Sequence, residues 1–424
     1  MQKQKTNLKN ENRQRKKGSN SKEKSRQNIK NDAINKPDVE NNGLVSANGN
    51  EATGKKKLKH LDSVFVILIL TMVVYGLIMV FSSSYAWSLN KFGNSFHFII
   101  NQALFVCGGL VGMFILSRID YHNFRKILIP IVFCAIILLI LVAIPGIGVE
   151  HNGARRWIDI KITEFQPSEI VKFALIVLFA HLTAHNYKRM GTFTYGVLPY
   201  VTFLTIVCVL MMLQPHLSGT ILMLLIGSVM MIVGGTKPGY FVAVIVAAAA
   251  GIVAVLVLKP SYMVSRIQNW LSPFENVTES GWQTQQSLIA IGSGGIMGRG
   301  LGGSHQKFLY LPESHNDYIF AIICEELGLI GALIVIILFI AFTFRGFKIC
   351  KNAPDKFGFM LGIGLVSQIC IQAALNIAVV TNTIPSTGIS LPFFSYGGTA
   401  ILMQLGQMGV LLNISRQATM EKAA

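Results

Sequence analysis

Long apolar runs without a charged side chain recur along this chain from residue 64 onward. A membrane-spanning helix needs about 20 mostly apolar residues, and backbone in lipid must satisfy its own hydrogen bonds, so helices are expected here. The predicted fold class is therefore an all-α polytopic membrane protein with ten transmembrane helices and a large extracellular loop between helices 7 and 8. The ten predicted spans are residues 64–81, 95–117, 127–149, 167–186, 191–213, 217–235, 240–258, 318–344, 357–380 and 398–414.

The composition changes at the two ends of this apolar region. Residues 1–61 contain 16 Lys/Arg, six Asp/Glu and very few apolar side chains, so this segment cannot bury a core and is expected to be disordered. We divide the chain into a disordered basic cytoplasmic tail (1–60), a ten-helix membrane domain (61–416) and a short cytoplasmic C-terminus (417–424). The tail is either a solvated anchor or a segment that binds anionic lipids or a cytoplasmic division partner.

The distribution of positive charge gives an orientation. If the tail is cytoplasmic, 28 of the 37 Lys/Arg lie on the inner side of the ten predicted spans, as the positive-inside rule requires. Both termini are therefore expected in the cytoplasm. Only 13% of the residues are charged, against about 25% in soluble domains, which argues against a soluble protein. We expect membrane lipids, and no nucleic acid, among its partners.

The first predicted outer segment carries cations that run against this bias. Arg155 and Arg156 are adjacent, precede Trp157, and suggest an anionic partner. Glu169 and Lys172 are three residues apart at the start of a span, so they share a helix face and can form an ion pair. The alternative is an interfacial Arg/Trp anchor with a surface ion pair. An ionisable group inside a span, however, is a functional hypothesis by default.

The second outer segment begins with a glycine-rich run at residues 292–303. It contains Gly-x-Gly-x-x-Gly, but no strand–turn–helix unit surrounds the match, so a nucleotide-binding loop is not supported. We expect a flexible re-entrant or hinge segment. Arg299 and Lys307 are candidates for contact with a phosphate group.

Acidic and polar residues crowd the start of the eighth predicted span. Glu313 and His315 precede Asp317, which lies at the boundary between loop and helix. Glu325 and Glu326 follow inside the apolar run and point in different directions on a helix, so they are expected to face different neighbours. They are either structural contacts between helices or part of a transport path.

The third outer segment, residues 381–397, contains prolines and glycines that prevent a regular helix. At membrane depth such backbone must be buried in protein or line a wet cavity, so a cavity wall that includes Ser395 is expected; the alternative is a plain surface turn. His305, Glu313 and His315 show no recognised spacing of metal ligands, and no metal site is predicted.

Four motifs together resemble one family, the shape, elongation, division and sporulation (SEDS) family. They are Gly-Ala-Arg-Arg-Trp-Ile, Phe-Gln-Pro-Ser-Glu-Ile-Val-Lys, the run from Tyr310 to Gly328, and Leu-Pro-Phe-Phe-Ser-Tyr-Gly-Gly. The resemblance covers roughly residues 60–416, with the motifs in the same order as in the family. The run Gln306-Lys307-Phe308 is closer to the FtsW/SpoVE branch than to the RodA branch.

The resemblance implies a peptidoglycan glycosyltransferase that polymerises lipid II at the outer face of the cytoplasmic membrane, at the septum during cell division or in sporulation. It implies a class B penicillin-binding protein transpeptidase and other division proteins as partners. The family's catalytic aspartate matches Asp317, its Arg-Trp pair matches Arg156 and Trp157, and its Glu/Lys pair matches Glu169 and Lys172.

One position departs from the family pattern. Members commonly show Gln-Pro-Asp after the fifth span, whereas this chain has Gln214-Pro215-His216. If that carboxylate were essential, this protein would be impaired. We interpret the change as tolerance of other polar groups at this position, which leaves Asp317 as the better candidate for the base.

The chemistry of the implied reaction assigns roles to these residues. A sugar hydroxyl needs a general base near neutral pH, and Asp317 at a poorly solvated helix mouth suits that role. Fixed positive charge would stabilise the departing diphosphate, a role that a divalent cation, Mg²⁺ or Mn²⁺, could share; no other cofactor is expected. The predicted substrate contacts are Arg155, Arg156, Trp157, Glu169, Lys172, Arg299, Lys307, Glu313, His315 and Ser395.

Two other functions remain open from the sequence. Acidic residues inside a span and interrupted helices also suit a lipid II flippase or other transporter. A non-catalytic scaffold that recruits partner enzymes would be insensitive to changes at Asp317.

Overall fold

The structure is a computed structural model that describes residues 61–151, 154–159, 164–241, 268–275 and 279–421. These parts of the chain are mainly helical, with one small sheet and a short 3₁₀ turn at Tyr187–Arg189. In chain order the elements are α1 (Ser63–Phe92), α2 (His97–Leu116), α3 (His122–Lys126), α4 (Leu128–Ala143), β1 (Gly148–His151), β2 (Ala154–Asp159), β3 (Glu164–Phe165), α5 (Pro167–Asn186), α6 (Phe193–Gly196), α7 (Leu198–Leu213), α8 (Leu217–Val233), α9 (Glu279–Gly294), α10 (Ile319–Lys351), α11 (Lys356–Val380) and α12 (Gly398–Glu421).

The protein is a multi-pass membrane protein. Within the described ranges, six helical stretches are long and apolar enough to cross a membrane, and α4 and α8 are apolar but shorter. The predicted break at residues 214–216 is confirmed, because α7 ends at Leu213 and α8 begins at Leu217. The predicted span 240–258 lies almost wholly outside the described residues, so the count of ten helices stays a prediction.

The prediction of an all-α fold is wrong between α4 and α5. The third predicted span extends to residue 149, but α4 ends at Ala143 and a positive φ at Gly146 turns the chain. β1, β2 and β3 then form an antiparallel sheet in that order. Val149 pairs with Trp157 across this sheet. The predicted helix is too long because the run has no charged residue before its end, although its last six residues are not helical.

Two helices occupy the centre of the bundle. In the most apolar stretch of α5 and of α11, 67% of the residues are buried, against 22% for α2. α5 contacts α4, α8 and α11, whereas α11 also contacts α10 and α12. Polar side chains on α5 and α11 are therefore held inside protein rather than in lipid.

Helix α10 is broken at Gly328, where φ is 66° and ψ is −162°. The break frees backbone groups that lipid could not satisfy. The glycine-rich segment after α9 supplies their partners. The four hydrogen bonds run from Arg299 N to Glu325 O (3.0 Å), from Gly300 N to Glu326 O (2.9 Å), from Leu329 N to Gly295 O (2.9 Å) and from Ile330 N to Ile296 O (3.3 Å).

The two acidic residues before this break face different neighbours, which confirms the prediction for them. The Glu325 carboxylate accepts a hydrogen bond from Ser304 Oγ at 2.5 Å. The Glu326 carboxylate accepts from Ser82 Oγ on α1 and forms an ion pair of 2.9 Å with Lys307 Nζ. Both glutamates are fully buried, so their charges are compensated inside the bundle.

Substitution of Gly298 tests the contact between the glycine-rich segment and α10. A Cβ there would lie 2.2 Å from the carbonyl oxygen of Glu326, at a φ of +76°. We expect Gly298→Ala to destabilise the protein by at least about 1–3 kcal/mol from backbone strain alone. The measurement is the fraction that remains monodisperse in detergent after a temperature ramp.

The matched control for this substitution is Gly292→Ala in α9. A Cβ at Gly292 would meet nothing within 4 Å, so thermal stability should stay equal or rise slightly. Equal melting temperatures for Gly298→Ala and the wild type would contradict the account of the helix break.

Candidate active site

The segment that ends at Asp317 is fixed by its backbone. The backbone carbonyl groups of the three residues 315–317 precede α10 and lie outside its helical hydrogen-bond pattern. They accept hydrogen bonds from α11 and from the segment that follows α11. The pairs are His315 O with Tyr396 N (2.9 Å), Asn316 O with Ser395 Oγ (2.6 Å) and Asp317 O with Asn376 Nδ2 (2.7 Å). The position of Asp317 is therefore set by residues about 60 to 80 positions later in the chain.

The Asp317 side chain is partly buried beside backbone and charge. A Cβ placed on Gly388 would lie 3.2 Å from Asp317 Oδ2, so this glycine leaves room for the carboxylate. Burial and the negative charge of Glu313 raise the pKa of Asp317 to about 6, against an opposing effect of Arg156. A carboxyl with that pKa is mostly ionised at neutral pH and can still accept a proton.

Arg156 is carried to this site by β2. Its Nη2 atom donates a hydrogen bond of 2.5 Å to the carbonyl oxygen of Pro215, between α7 and α8. Its charge acts on both Asp317 and His216, which places the guanidinium in electrostatic range of the two. The small sheet that the sequence did not predict is thus the element that positions Arg156.

The two neighbours of Arg156 project to the other face of β2, because side chains alternate along a strand. Arg155 forms an ion pair of 3.0 Å with Glu150 on the adjacent strand and is partly exposed. The structure therefore does not bring Arg155 to Asp317, although the sequence grouped the two arginines. Trp157 is partly buried on β2, and its predicted substrate contact stays a prediction.

The predicted ion pair at the start of α5 is confirmed. Lys172 Nζ lies 2.8 Å from Glu169 Oε1, and both side chains are almost completely buried. Lys172 Nζ also donates to Gln372 Oε1 on α11 at 3.2 Å. Glu169 lies in the first turn of α5, where the helix dipole favours negative charge. The pair joins the two central helices.

His216 is buried at the break between α7 and α8. Burial, followed by the positive charges of Arg156 and Lys172, lowers the pKa of its imidazole to about 3. Its Nδ1 atom has no hydrogen-bond partner among the described residues. The side chain is therefore neutral near pH 7, and this position supplies no negative charge to balance the two cations.

Two predicted substrate contacts are packed inside the site itself. Ser395 Oγ donates to the carbonyl oxygen of Asn316, as given above. The ring of His315 is buried against Phe98 and Trp87, with centroids 4.6 and 5.8 Å away. Burial and the charge of Lys91 lower the pKa of His315 to about 4, so it is neutral. Both residues shape the Asp317 segment, and contact with substrate stays a prediction for them.

Lys307 lies inside the bundle. Its ammonium group is buried and forms an ion pair with Glu326, and its predicted contact with a phosphate group stays a prediction. Arg299 is more exposed, and its Nη1 atom lies 3.7 Å from the buried Glu325. Spacing along the sequence cannot reveal these partners, because each ion pair joins a side chain of the glycine-rich loop region to a glutamate on the distant helix α10.

Other residues of the site were not predicted from the sequence. They are Gln372, Asn376, Gly388 and His216, the last noted only as a departure from a pattern. A signal for two of them was present, because Gln368, Gln372 and Asn376 recur every fourth position in the otherwise apolar α11. Such a polar stripe must face protein or a cavity rather than lipid.

A comparison of the sequence with models of protein families gives one match that covers the four motifs. The model of the cell cycle proteins FtsW, RodA and SpoVE matches residues 62–420. The chain belongs to the FtsW/RodA/SpoVE family. This match confirms the resemblance that the four motifs indicated.

Relatives in the FtsW/RodA/SpoVE family are similar over nearly their full length. Stage V sporulation protein E of Bacillus subtilis is 42% identical over 358 residues, which cover 84% of this chain and 97% of that protein. A probable peptidoglycan glycosyltransferase FtsW of Geobacter sulfurreducens is 37% identical over 360 residues, which cover 85% of this chain and 96% of that protein.

Solved structures of the family share the fold. A chain in a peptidoglycan synthase complex aligns with a TM-score of 0.71 at 24% identity and covers 84% of this chain and 98% of that chain. The rod shape determining protein RodA of Thermus thermophilus aligns with a TM-score of 0.62 at 22% identity, over 84% of this chain and 97% of that one.

Charge changes around Asp317 should move its titration in opposite directions. Glu313→Gln removes a negative charge and should lower the pKa of Asp317, whereas Arg156→Gln removes a positive charge and should raise it. The measurement is the rate of carbodiimide modification of Asp317 against pH, read by mass spectrometry, since the protonated carboxyl reacts.

Glu275→Gln is the control for this titration, because it removes an exposed carboxyl outside the group of residues described above. It should leave the midpoint for Asp317 unchanged. Shifts of the same sign for Glu313→Gln and Arg156→Gln would contradict the proposed electrostatics.

Proposed function

We propose that this protein is a peptidoglycan glycosyltransferase that polymerises lipid II, a disaccharide-pentapeptide carried on undecaprenyl diphosphate. The observation that carries the proposal is a lone aspartate, Asp317, with a raised pKa and an arginine in electrostatic range, held at the mouth of α10. The name of the Geobacter relative, a probable peptidoglycan glycosyltransferase, supports the same activity.

Asp317 acts as the general base in this mechanism. The 4-hydroxyl of the acceptor sugar attacks the anomeric carbon of the donor, and its proton passes to the Asp317 carboxylate. The new glycosidic bond forms as the bond to the lipid diphosphate breaks, so the anomeric centre inverts. Direct displacement needs no nucleophile from the enzyme, so Asp317 serves only as the base.

Positive charge on the same side of the bundle stabilises the leaving diphosphate. Arg156 and Lys172 act together on His216, so the two cations converge near the junction of α7 and α8. Fixed charges in a site with little water stabilise a developing anion strongly and need no rearrangement during the reaction. Glu169 holds Lys172 in place and neutralises part of the positive charge of Lys172.

A divalent cation, Mg²⁺ or Mn²⁺, is compatible with this site when substrate is bound. Within the described residues, no group of three or more His, Cys, Asp and Glu side chains could hold a metal ion. Asp317 and Glu313 are close enough for their charges to interact, and Mg²⁺ typically uses one or two carboxylates with substrate phosphates. The ion would add positive charge beside the diphosphate.

The reaction takes place at the outer face of the cytoplasmic membrane, with both termini in the cytoplasm. The Lys/Arg distribution supports this orientation. We propose a class B penicillin-binding protein transpeptidase as partner, together with other division proteins at the septum. The neighbouring structure of a peptidoglycan synthase complex, which coordinates polymerisation and crosslinking, supports that partnership.

A lipid II flippase is the second candidate, favoured by the broken α10 and its buried Glu325 and Glu326. Both carboxylates are already occupied, by Ser304 and by Lys307 with Ser82. Polymer formed from lipid II in detergent separates the two functions, because transport has no meaning without a bilayer.

Removal of the carboxylate at Asp317 tests the proposal. Asp317→Asn should leave membrane insertion and thermal stability intact and reduce polymerisation of lipid II by about 10²–10⁴-fold, since a general base contributes that much. The assay uses the purified full-length protein, with and without its transpeptidase partner, and product is measured by gel.

Glu275→Gln, which removes an exposed carboxyl, serves as the matched control and should polymerise at the wild-type rate. Wild-type glycan output from Asp317→Asn would rule out Asp317 as base, and no polymer from the wild-type protein, with or without its partner, would favour a scaffold.

The rate should depend on pH through the same carboxyl group. Because the base must be ionised, kcat/KM should fall about tenfold per pH unit below the raised pKa of Asp317, about 6, and level off above it. A stopped assay from about pH 4.5 to about pH 8 gives this profile, and protein stability is checked at each pH. A rate independent of pH across the acidic range would argue against Asp317 as base.

A further inference from the structure

Asn376 on α11 is fully buried and holds two backbone segments of the site at once. Its Nδ2 atom donates to the carbonyl oxygen of Asp317 at 2.7 Å and to that of Ile389 at 2.6 Å. We infer that Asn376 is a positioning residue for Asp317, because it holds both the backbone of Asp317 and the segment that borders its carboxylate. This inference rests on the proposed function, in which Asp317 is the base.

The first of the two hydrogen bonds fixes the backbone of the base itself. Asp317 is the second residue before α10 begins, so its carbonyl lies outside the helix. A primary amide on a buried helix has two N–H donors on one rigid plane. α11 is one of the two central helices, so Asn376 connects Asp317 to one of the most buried parts of the bundle.

The second hydrogen bond fixes the backbone segment that borders the carboxylate. Ile389 follows Gly388, whose φ of +71° turns the chain toward the site. A Cβ on Gly388 would lie 3.2 Å from Asp317 Oδ2, so the backbone there borders the carboxylate directly. The same amide therefore sets the distance between the base and the backbone that confines it.

Gln372, one helical turn earlier on α11, makes a parallel contact with the same segment. Its Nε2 atom donates to the carbonyl oxygen of Ser390 at 3.0 Å, and its Oε1 atom accepts from Lys172. The two amides hold consecutive residues, Ile389 and Ser390, but differ in their second contact. Asn376 also donates to the backbone of the proposed base, whereas Gln372 also accepts from Lys172, a proposed diphosphate contact.

Loss of this clamp should affect turnover more than binding. A base that moves by about 1 Å can lose about 100-fold in rate, because proton transfer requires close geometry. The sugar and diphosphate contacts elsewhere would remain. A merely structural residue would instead lower the amount of folded protein and leave the turnover of each folded molecule unchanged.

The test uses Asn376→Leu in the full-length protein, purified and assayed with lipid II and the transpeptidase partner. We expect kcat to fall by about 10–100-fold and KM for lipid II to change by less than about threefold. Loosened packing should admit water to Asp317, so the pH midpoint of its carbodiimide modification should fall below that of the wild type.

Asn376→Gln keeps both N–H donors on a longer arm and should restore part of kcat relative to Asn376→Leu. If Asn376→Leu does not fold, this variant carries the test alone, with a reduced kcat and a shifted modification midpoint. Wild-type values of both quantities in a folded Asn376 variant would overturn the inference.

Asn413→Leu is the matched control, because Asn413 is a second buried asparagine clamp on α12. Its Nδ2 atom donates to Ser117 O at 2.9 Å, and its Oδ1 atom accepts from Tyr121 N at 3.1 Å. This variant should lower thermal stability and leave turnover per folded molecule and the Asp317 midpoint unchanged. Equal losses of kcat in both variants would overturn a specific role for Asn376.

The two proposals fail in different ways. Full activity of Asp317→Asn would remove the base and the proposed function with it, while the modification midpoint would still report whether Asn376 positions the carboxyl. Inactive Asp317→Asn with fully active Asn376 variants would overturn only the inference about Asn376.

Discussion

Irregular backbone near the membrane has to find hydrogen-bond partners inside the protein, and this requirement organises the end of the bundle that holds Asp317. The carbonyl oxygens of residues 315–317 each accept a hydrogen bond from α11 or from the segment that follows it. The broken α10 meets the same requirement through the glycine-rich segment after α9. The loop that carries Asp317 is thus confined between two sets of obligatory backbone contacts, and its carboxylate has a defined position before any substrate arrives.

Electrostatics act on a carboxylate that is already placed. Burial and Glu313 disfavour its ionisation, while Arg156 favours it, and the balance raises the pKa of Asp317 to about 6. The neutral His216 leaves Arg156 and Lys172 without a carboxylate from that position. Lys172 has its counter-charge in Glu169, and the charge of Arg156 acts on Asp317 itself.

Sequence patterns predicted those features that depend on local order. Long apolar runs predicted the helices, including the bounds of α5 at Pro167–Asn186, and a three-residue spacing predicted the Glu169–Lys172 pair. Contacts between segments that are distant in the chain do not produce a local sequence pattern, so they were not predicted. The partner of Lys307 lies 19 residues later in the chain, just before the break in α10, and the sheet that carries Arg156 interrupts a run of apolar residues. Asn376 acts on Asp317 from 59 residues away.

The most direct test of the account is the structure of the full-length protein with lipid II bound at two sites, donor and acceptor. The account predicts the acceptor 4-hydroxyl within about 3.2 Å of an Asp317 carboxylate oxygen, with the donor diphosphate beside Arg156. A sugar hydroxyl held by another residue, with Asp317 turned into protein or lipid, would contradict it.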